Sequence, residues 1–255
     1  LKVSEIAANL RRWAPEASQE EWDNTGFQLR LLDREVSDVV VAMDVTEDVV
    51  ELAVETDAQL ILTHHPMFFQ SLKHIDIEET KGRMVARLIQ NNISVYASHT
   101  AMDKAKGGVN DLWIDKLGLN AVATLTEEGI GIVGDREIEL ADILQIFQNE
   151  EIPSVRAYGR GKTQFQRIAF VGGSGADCID DAVSKGSDLL ITGDVKHHDG
   201  QHAYEQGLMV IDIGHFHSEK AVLAAMAQWV ESLGEIRAHL VVNSPFAFEI
   251  PGKMW

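Results

Sequence analysis

Two stretches of this chain, offset by 129 positions, carry one pattern. Residues 53–65 read AVETDAQLILTHH and residues 182–194 read AVSKGSDLLITGD; each is a helix end, a turn, a buried strand and a threonine. After each comes a second strand closing on a histidine with a carboxylate four residues later: His99 and Asp103, then His215 and Glu219. Two copies at this period do not make a solenoid, which needs at least about three short repeats. They predict two similar lobes related by an approximate twofold. Thr63 to His99 spans 36 residues and Thr192 to His215 spans 23, so 13 extra residues (36 − 23) fall in the first copy's loop HHPMFFQSLKHIDIEETKGR. Loops absorb such insertions and strands do not.

Strand and helix signals alternate within each copy. VVVAM (39–43), LILT (60–63) and ISVYASH (93–99) are apolar runs of strand length, as are RIAFV (167–171), DLLIT (188–192) and LMVIDIG (208–214). Helical spacing of apolar residues covers 46–56, 82–92, 109–118, 139–148 and about 219–233, and the N-terminal LKVSEIAANLRRW puts Val3, Ile6, Ala7 and Leu10 on one face. Asp44 or Thr46 can cap the helix after the first strand, and Ser174 with Asp177 reads as a capping box. The predicted fold is α/β: two similar lobes from an internal duplication, with mostly parallel central sheets flanked by helices. The first lobe is residues 1–126 and the second 127–255, with a Gly-rich break near 119–138. The C-terminal segment from about 234 to 255, carrying HLVVNSPFAFEI, is placed as a strand returning to the first lobe.

Composition narrows the function. A formal charge of −18 repels nucleic acid and anionic membranes, and no apolar run is long enough to span a bilayer. The N-terminal pattern lacks the apolar block of a secretory leader. The one cysteine, Cys178, excludes an intrachain disulfide and a Cys-rich zinc site; its helical apolar neighbours make it a core residue. These features fit a cytoplasmic protein. GKT at 161–163 is no P-loop, since Arg156 stands where the first glycine belongs, and GGSG at 172–175 reads as a tight turn.

The histidines carry the chemistry. Of ten, six lie at strand ends or just beyond: His64, His65, His99, His197, His198 and His215. In open α/β sheets ligands bind beyond the carboxyl ends of strands. The adjacent His64 and His65, leaving a buried strand at Pro66, can splay toward different partners. Asp103 and Glu219 add hard oxygen donors. Imidazoles with carboxylates suit zinc, iron, manganese, cobalt or nickel better than calcium or magnesium. Three neutral imidazoles and two carboxylates only half-neutralise two divalent ions. The resulting cationic site selects an anionic small molecule, with phosphate or a nucleotide the expected group.

The runs EEWDNTGFQ, VAMDVTEDVV, LILTHHPMFF, ASHTAMD, GGVND, LLITGDVKHHD and IDIGHFHSE resemble the dinuclear metal-centre proteins, also called Nif-three-like or GTP cyclohydrolase 1 type 2-like. The resemblance covers almost the whole chain. It implies two α/β lobes, a ring-shaped homohexamer and two divalent transition-metal ions facing an interior cavity. Carried over by motif, the metal ligands are His64, His65, Asp103, His215 and Glu219. His65 and Asp103 would hold one ion, His64 and His215 the other, with Glu219 bridging. His99 and His198 are the candidate acid/base residues, and Lys196 a substrate contact. Arg30 stands where the family has a turn glycine. The expected function is metal-dependent hydrolysis of a nucleotide or phosphate-bearing small molecule, GTP ring opening by resemblance; the alternative is a non-enzymatic metal-binding scaffold or regulatory protein.

Overall fold

The structure is a computed structural model that describes residues 1–244. The end of the HLVVNSPFAFEI run lies outside the described residues. The chain forms two compact units: Leu1–Ala105 with Val222–Asn243, and Lys106–Ala221.

The first unit holds strands β1 (Gly26–Leu29), β2 (Asp38–Ala42), β3 (Leu60–Thr63), β4 (Ser94–Ala97) and β11 (Arg237–Leu240), in the sheet order β1-β4-β3-β2-β11. Only β1 is antiparallel to its neighbour. Every residue of LILT and SVYA is buried, as expected for strands with apolar packing on both faces. Helices α1 (Val3–Trp13), α2 (Glu47–Glu55), α3 (Thr80–Gln90), α4 (Thr100–Lys104) and α10 (Ala221–Ser232) complete the unit. Val49, Val85 and Leu88 of α2 and α3 pack on Val40, Ile61 and Val95 of the sheet. Thr46 caps α2, its hydroxyl oxygen accepting from the Val49 amide at 3.3 Å, which leaves Asp44 for another partner. β11 returns to run parallel to β2, from Arg237 opposite Asp38 to Leu240 opposite Val41.

The second unit holds β5 (Asn120–Thr124), β6 (Ile132–Glu139), β7 (Arg156–Tyr158), β8 (Gln164–Ser174), β9 (Leu189–Gly193) and β10 (Met209–Asp212). Their order is β5-β6-β8-β9-β10-β7. The β8-β9-β10 centre is parallel and the flanking pairs are antiparallel. Helices are α5 (Val109–Leu117), α6 (Leu140–Asn149), α7 (Ile179–Ser184), α8 (His197–Gln206) and α9 (His215–Glu219). Alternate residues of the strands feed two cores. Ile168, Phe170 and Ile191 join Trp113 and Phe147 on one face, while Ala169, Val171 and Leu190 join Ile179 and Ala203 on the other. The Trp113 indole stacks on Phe170 at 4.7 Å and donates to the Ser218 carbonyl at 2.7 Å, which fixes α9 against α5.

Two local expectations are corrected. The stretch 119–138 contains most of a β5–β6 hairpin rather than a break. Ser174 and Asp177 form no capping box: Ser174 ends β8, and the next turn, Ala176–Cys178, starts at Gly175 without a side-chain cap. Thr192 instead takes the Gly175 amide, at 2.9 Å. No helix among the described residues is long and apolar enough to cross a membrane.

Candidate metal centre

In the first unit, His64 and His65 follow directly on β3, and His99 caps α4 two residues beyond β4. One nitrogen from each of these three imidazoles can be chosen so that all lie within 4.8 Å of one another, a candidate metal-binding group. Each ring is fixed through its Nδ1. His64, fully buried, donates Nδ1–H to the Ser98 carbonyl at 3.0 Å. That bond places a proton on Nδ1, so in the neutral ring Nε2 is the electron-pair donor; it faces Asp103 Oδ1 at 3.6 Å. Two electron-pair donors facing each other beyond hydrogen-bond length are a fitting pair for a cation. His65 donates from Nδ1 to Asp44 Oδ1 at 2.8 Å, which in the neutral ring again makes Nε2 the electron-pair donor.

His99 is held differently. Its Nδ1 lies 2.7 Å from Asp23 Oδ1, and Asp23 is fully buried. The Asp23 carboxylate also accepts from the Asn24 amide, the Thr25 hydroxyl, and the amide and hydroxyl of Thr100. Burial alone would raise its pKa, but the hydrogen bonds from His99 and Thr100 outweigh this and hold it well below the ordinary value of 3.8. Asp23 is therefore an anion that accepts from His99 Nδ1 and fixes the tautomer and orientation of that ring, as the carboxylate beside a catalytic histidine does.

In the second unit, His215 and Glu219 are the first and last residues of α9. His215 Nε2 lies 3.2 Å from Glu219 Oε2, with the glutamate side chain 3% exposed. His215 Nδ1 lies 2.7 Å from Asp194 Oδ2. Gly173, at φ 70°, makes room for this pair: a β-carbon there would sit 2.5 Å from Glu219 Oε1.

The two carboxylate–histidine contacts share a construction. Asp44 and His65 are 21 residues apart, as are Asp194 and His215. In each case the aspartate follows one strand and the histidine follows the next parallel strand. Ala42 pairs with Thr63, so Asp44 and His65 leave β2 and β3 side by side, two residues on. Thr192 pairs with Asp212, so Asp194 and His215 leave β9 and β10 in nearly the same way. Asp194 holds φ at 56°, a left-handed backbone that Asp and Asn tolerate better than most residues.

His64, His65, His99 and Asp103 thus gather in the first unit, and His215 with Glu219 in the second. His198 stands apart in the first turn of α8, exposed, its ring edge-on to His197 at 5.1 Å. Lys196, which precedes that helix, is exposed too. Sequence reasoning assigned no site role to Asp23 or Asp194 and gave Asp44 only a capping role. The repeated Asp–His spacing of 21 was the available signal, but it acquires meaning only once the strands are known to be adjacent.

Imidazoles oriented by carboxylates at the strand ends of two α/β units define a class: α/β proteins with candidate metal-binding groups outside their sheets. A family model described as Duf34/NIF3 (NGG1p interacting factor 3) matches residues 1–244, and the chain belongs to that family. A Clostridium perfringens protein named GTP cyclohydrolase 1 type 2 homolog is 33% identical to it, over 97% of this chain and 100% of that protein. A Helicobacter pylori protein named GTP cyclohydrolase 1 type 2 is 31% identical, over 90% of this chain and 92% of its own length. Among solved structures, reduced HcgD from Methanocaldococcus jannaschii aligns with a TM-score of 0.86 at 25% identity, covering 96% of this chain and 98% of that one.

Proposed function

We propose that this protein is a hydrolase dependent on two divalent transition-metal ions, acting on a nucleotide or another phosphate-bearing small molecule. The observation that carries the proposal is the repeated carboxylate–histidine pair, Asp44–His65 and Asp194–His215, each at the carboxyl ends of neighbouring parallel strands. Metal-ligating imidazoles are ordinarily held in this way through their second nitrogen. The names of the Clostridium and Helicobacter relatives favour GTP as the substrate.

The ligand set is His64, His65, Asp103, His215 and Glu219. Within the first unit His64 Nε2 faces Asp103 Oδ1 at 3.6 Å, so these two residues would hold an ion together, with His65 beside them, while His215 and Glu219 would be the donors of the second unit. Imidazole and carboxylate donors fit zinc, iron, manganese, cobalt or nickel. Bound there, the ions would activate water and polarise the substrate. His99, with Nδ1 fixed by Asp23, carries and returns a proton at Nε2. His198 has no comparable anchor and is the weaker acid/base candidate. The same reading includes a cytoplasmic homohexamer, checked by light scattering.

The test loads metal-stripped protein with each ion in turn and assays GTP and a panel of nucleotides and phosphoesters. Metal-restored turnover that falls on His99→Ala supports the reading. Bound metal at full stoichiometry without turnover on any substrate refutes the hydrolase and favours a metal-binding scaffold. Wild-type metal content in both His215→Ala and Glu219→Ala refutes the ligand set.

A further inference from the structure

The WDNTGFQ segment, residues 22–28, has a construction that the metal ligands do not require. Asp23 orients His99, but Trp22 beside it stays 58% exposed. Phe69, in the loop that holds the first copy's 13 extra residues, is 59% exposed and lies against Trp22 with ring centroids 5.8 Å apart. Both rings meet His99 edge-on, Trp22 at 5.9 Å and Phe69 at 6.3 Å. Large aromatic side chains left this exposed together mark a surface that binds something.

The pair is held rigidly. Asn24 Nδ2 donates to the Phe68 carbonyl at 2.8 Å, and the Phe68 amide donates to Gln28 Oε1 at 3.0 Å. Two side chains of the same segment thus pin the insertion loop where Phe69 meets Trp22. Asp23, with its full set of donors, fixes the other end. Beside the two rings opens a cleft of about 540 Å³, lined also by Asn24, Phe68, Leu72 and Ile75. Small-molecule sites fall in the range of about 300–1,000 Å³ and are mostly apolar with a few polar groups. Trp22, Asp23 and Phe69, which line the cleft, also contact His99.

We infer that Trp22 and Phe69 bind the planar heteroaromatic ring of the substrate and hold it beside His99. This rests on the hydrolase reading above and specifies its substrate: a nucleotide, whose base has an aromatic face to stack, rather than a sugar phosphate, which has none. The insertion in the first copy then has a purpose, since it supplies Phe69 and the wall of the cleft.

The experiment titrates zinc-loaded protein with guanosine monophosphate and with ribose 5-phosphate by calorimetry. Stacking on an aromatic side chain contributes enough that its loss costs about 5- to 100-fold in affinity. Wild type is expected to bind guanosine monophosphate at least about 10-fold more tightly than ribose 5-phosphate. The double variant Trp22→Ala/Phe69→Ala should lose that preference while keeping its affinity for ribose 5-phosphate. Trp22→Phe, which keeps an aromatic face, should retain most of it. Both side chains are exposed, so the variants are expected to fold, and circular dichroism checks this. If the double variant keeps the wild-type preference, the aromatic cleft is wrong and the anion-binding reading stands. Wild type binding neither probe overturns both. Loss of oligomer mass in the double variant without loss of base preference assigns the patch to contact between copies and overturns the inference.

Discussion

Asp194→Asn separates orientation of a ligand from the ligand itself. Asp194 holds His215 Nδ1 at 2.7 Å and occupies a left-handed backbone at φ 56°. Alanine would confound the two, because it removes the acceptor along with the charge and lacks the local hydrogen bonding by which Asp and Asn tolerate a left-handed backbone. Asparagine tolerates the backbone and can still accept the Nδ1–H bond, but it lacks the charge. Charge-assisted hydrogen bonds are about twice as strong as neutral ones, and removing an orienting partner costs about 10- to 100-fold in metal affinity. The Asp194 side chain is 54% exposed, so solvent screens part of the effect. The lower end applies, about 10-fold or about 1.4 kcal/mol. The metal-free protein should melt within about 1 kcal/mol of wild type, since a surface carboxylate away from special features contributes little. The assay is competition for zinc against a chelator of known affinity, with thermal melts of the stripped protein alongside. Asp44→Asn should act in the same direction through His65. Wild-type zinc affinity in both variants would refute the orienting role. So would a loss of stability in the stripped protein as large as the loss of binding, because the contact would then be serving the fold.

Gly193→Ala places a β-carbon 2.6 Å from the His215 amide nitrogen and 2.8 Å from the Gly214 carbonyl carbon. Both are backbone atoms, so we expect a loss of about 1–3 kcal/mol in urea unfolding and weaker zinc binding; an unperturbed variant would show that the contact can relax. Asp23→Asn removes a buried carboxylate with several donors and should destabilise by about 2–3 kcal/mol at neutral pH. Because its folded pKa is depressed, this stabilisation is complete above the ordinary value of 3.8 and is lost as pH falls toward the folded value. In unfolding of metal-free protein, the gap between wild type and variant should narrow by about 1 kcal/mol by pH 3; a gap that widens there refutes the assignment. Adding zinc at about 100 times its dissociation constant should raise stability by about 2.7 kcal/mol, and a chelator should reverse it, provided the ion binds the folded state alone. A melting temperature indifferent to both would refute a folded-state metal site.

What was legible in the sequence followed from burial. Parallel strands covered on both faces are continuous apolar runs, so LILT, DLLIT and ISVYASH stand out and the duplication can be aligned on them. The strands that did not stand out lack that signature. All five residues of β5 are exposed, so neither an apolar run nor an alternation marks it. β7 has three residues and β1 four, each paired at a sheet edge. The histidines and carboxylates of the candidate site stood out in the sequence because clustered imidazoles at strand ends are unusual in themselves. The aspartates that hold them were not. Asp44, Asp194 and Asp23 are ordinary surface or capping residues until the register of β2 on β3, of β9 on β10 and of β1 on β4 sets each beside a ring.

Divergence of the repeat also has a physical cause. At the offset of 129, His64 corresponds to Gly193 and His65 to Asp194. In the second unit the backbone of His215 packs on Gly193 so closely that no side chain fits there. That packing excludes a second His64. The neighbouring position, which in the first copy carries an imidazole, carries a carboxylate that holds His215 at the surface. Gly193 leaves space for the backbone of a histidine from the next strand, and the adjacent Asp194 anchors its ring. The second copy therefore contributes one oriented imidazole and one buried carboxylate, where the first contributes an adjacent pair and the His99–Asp23 dyad. A duplicated scaffold of this kind need not bind two equivalent sets of ions. Each half can specialise, because the strand ends are fixed by the apolar repeat and only the residues just beyond them change.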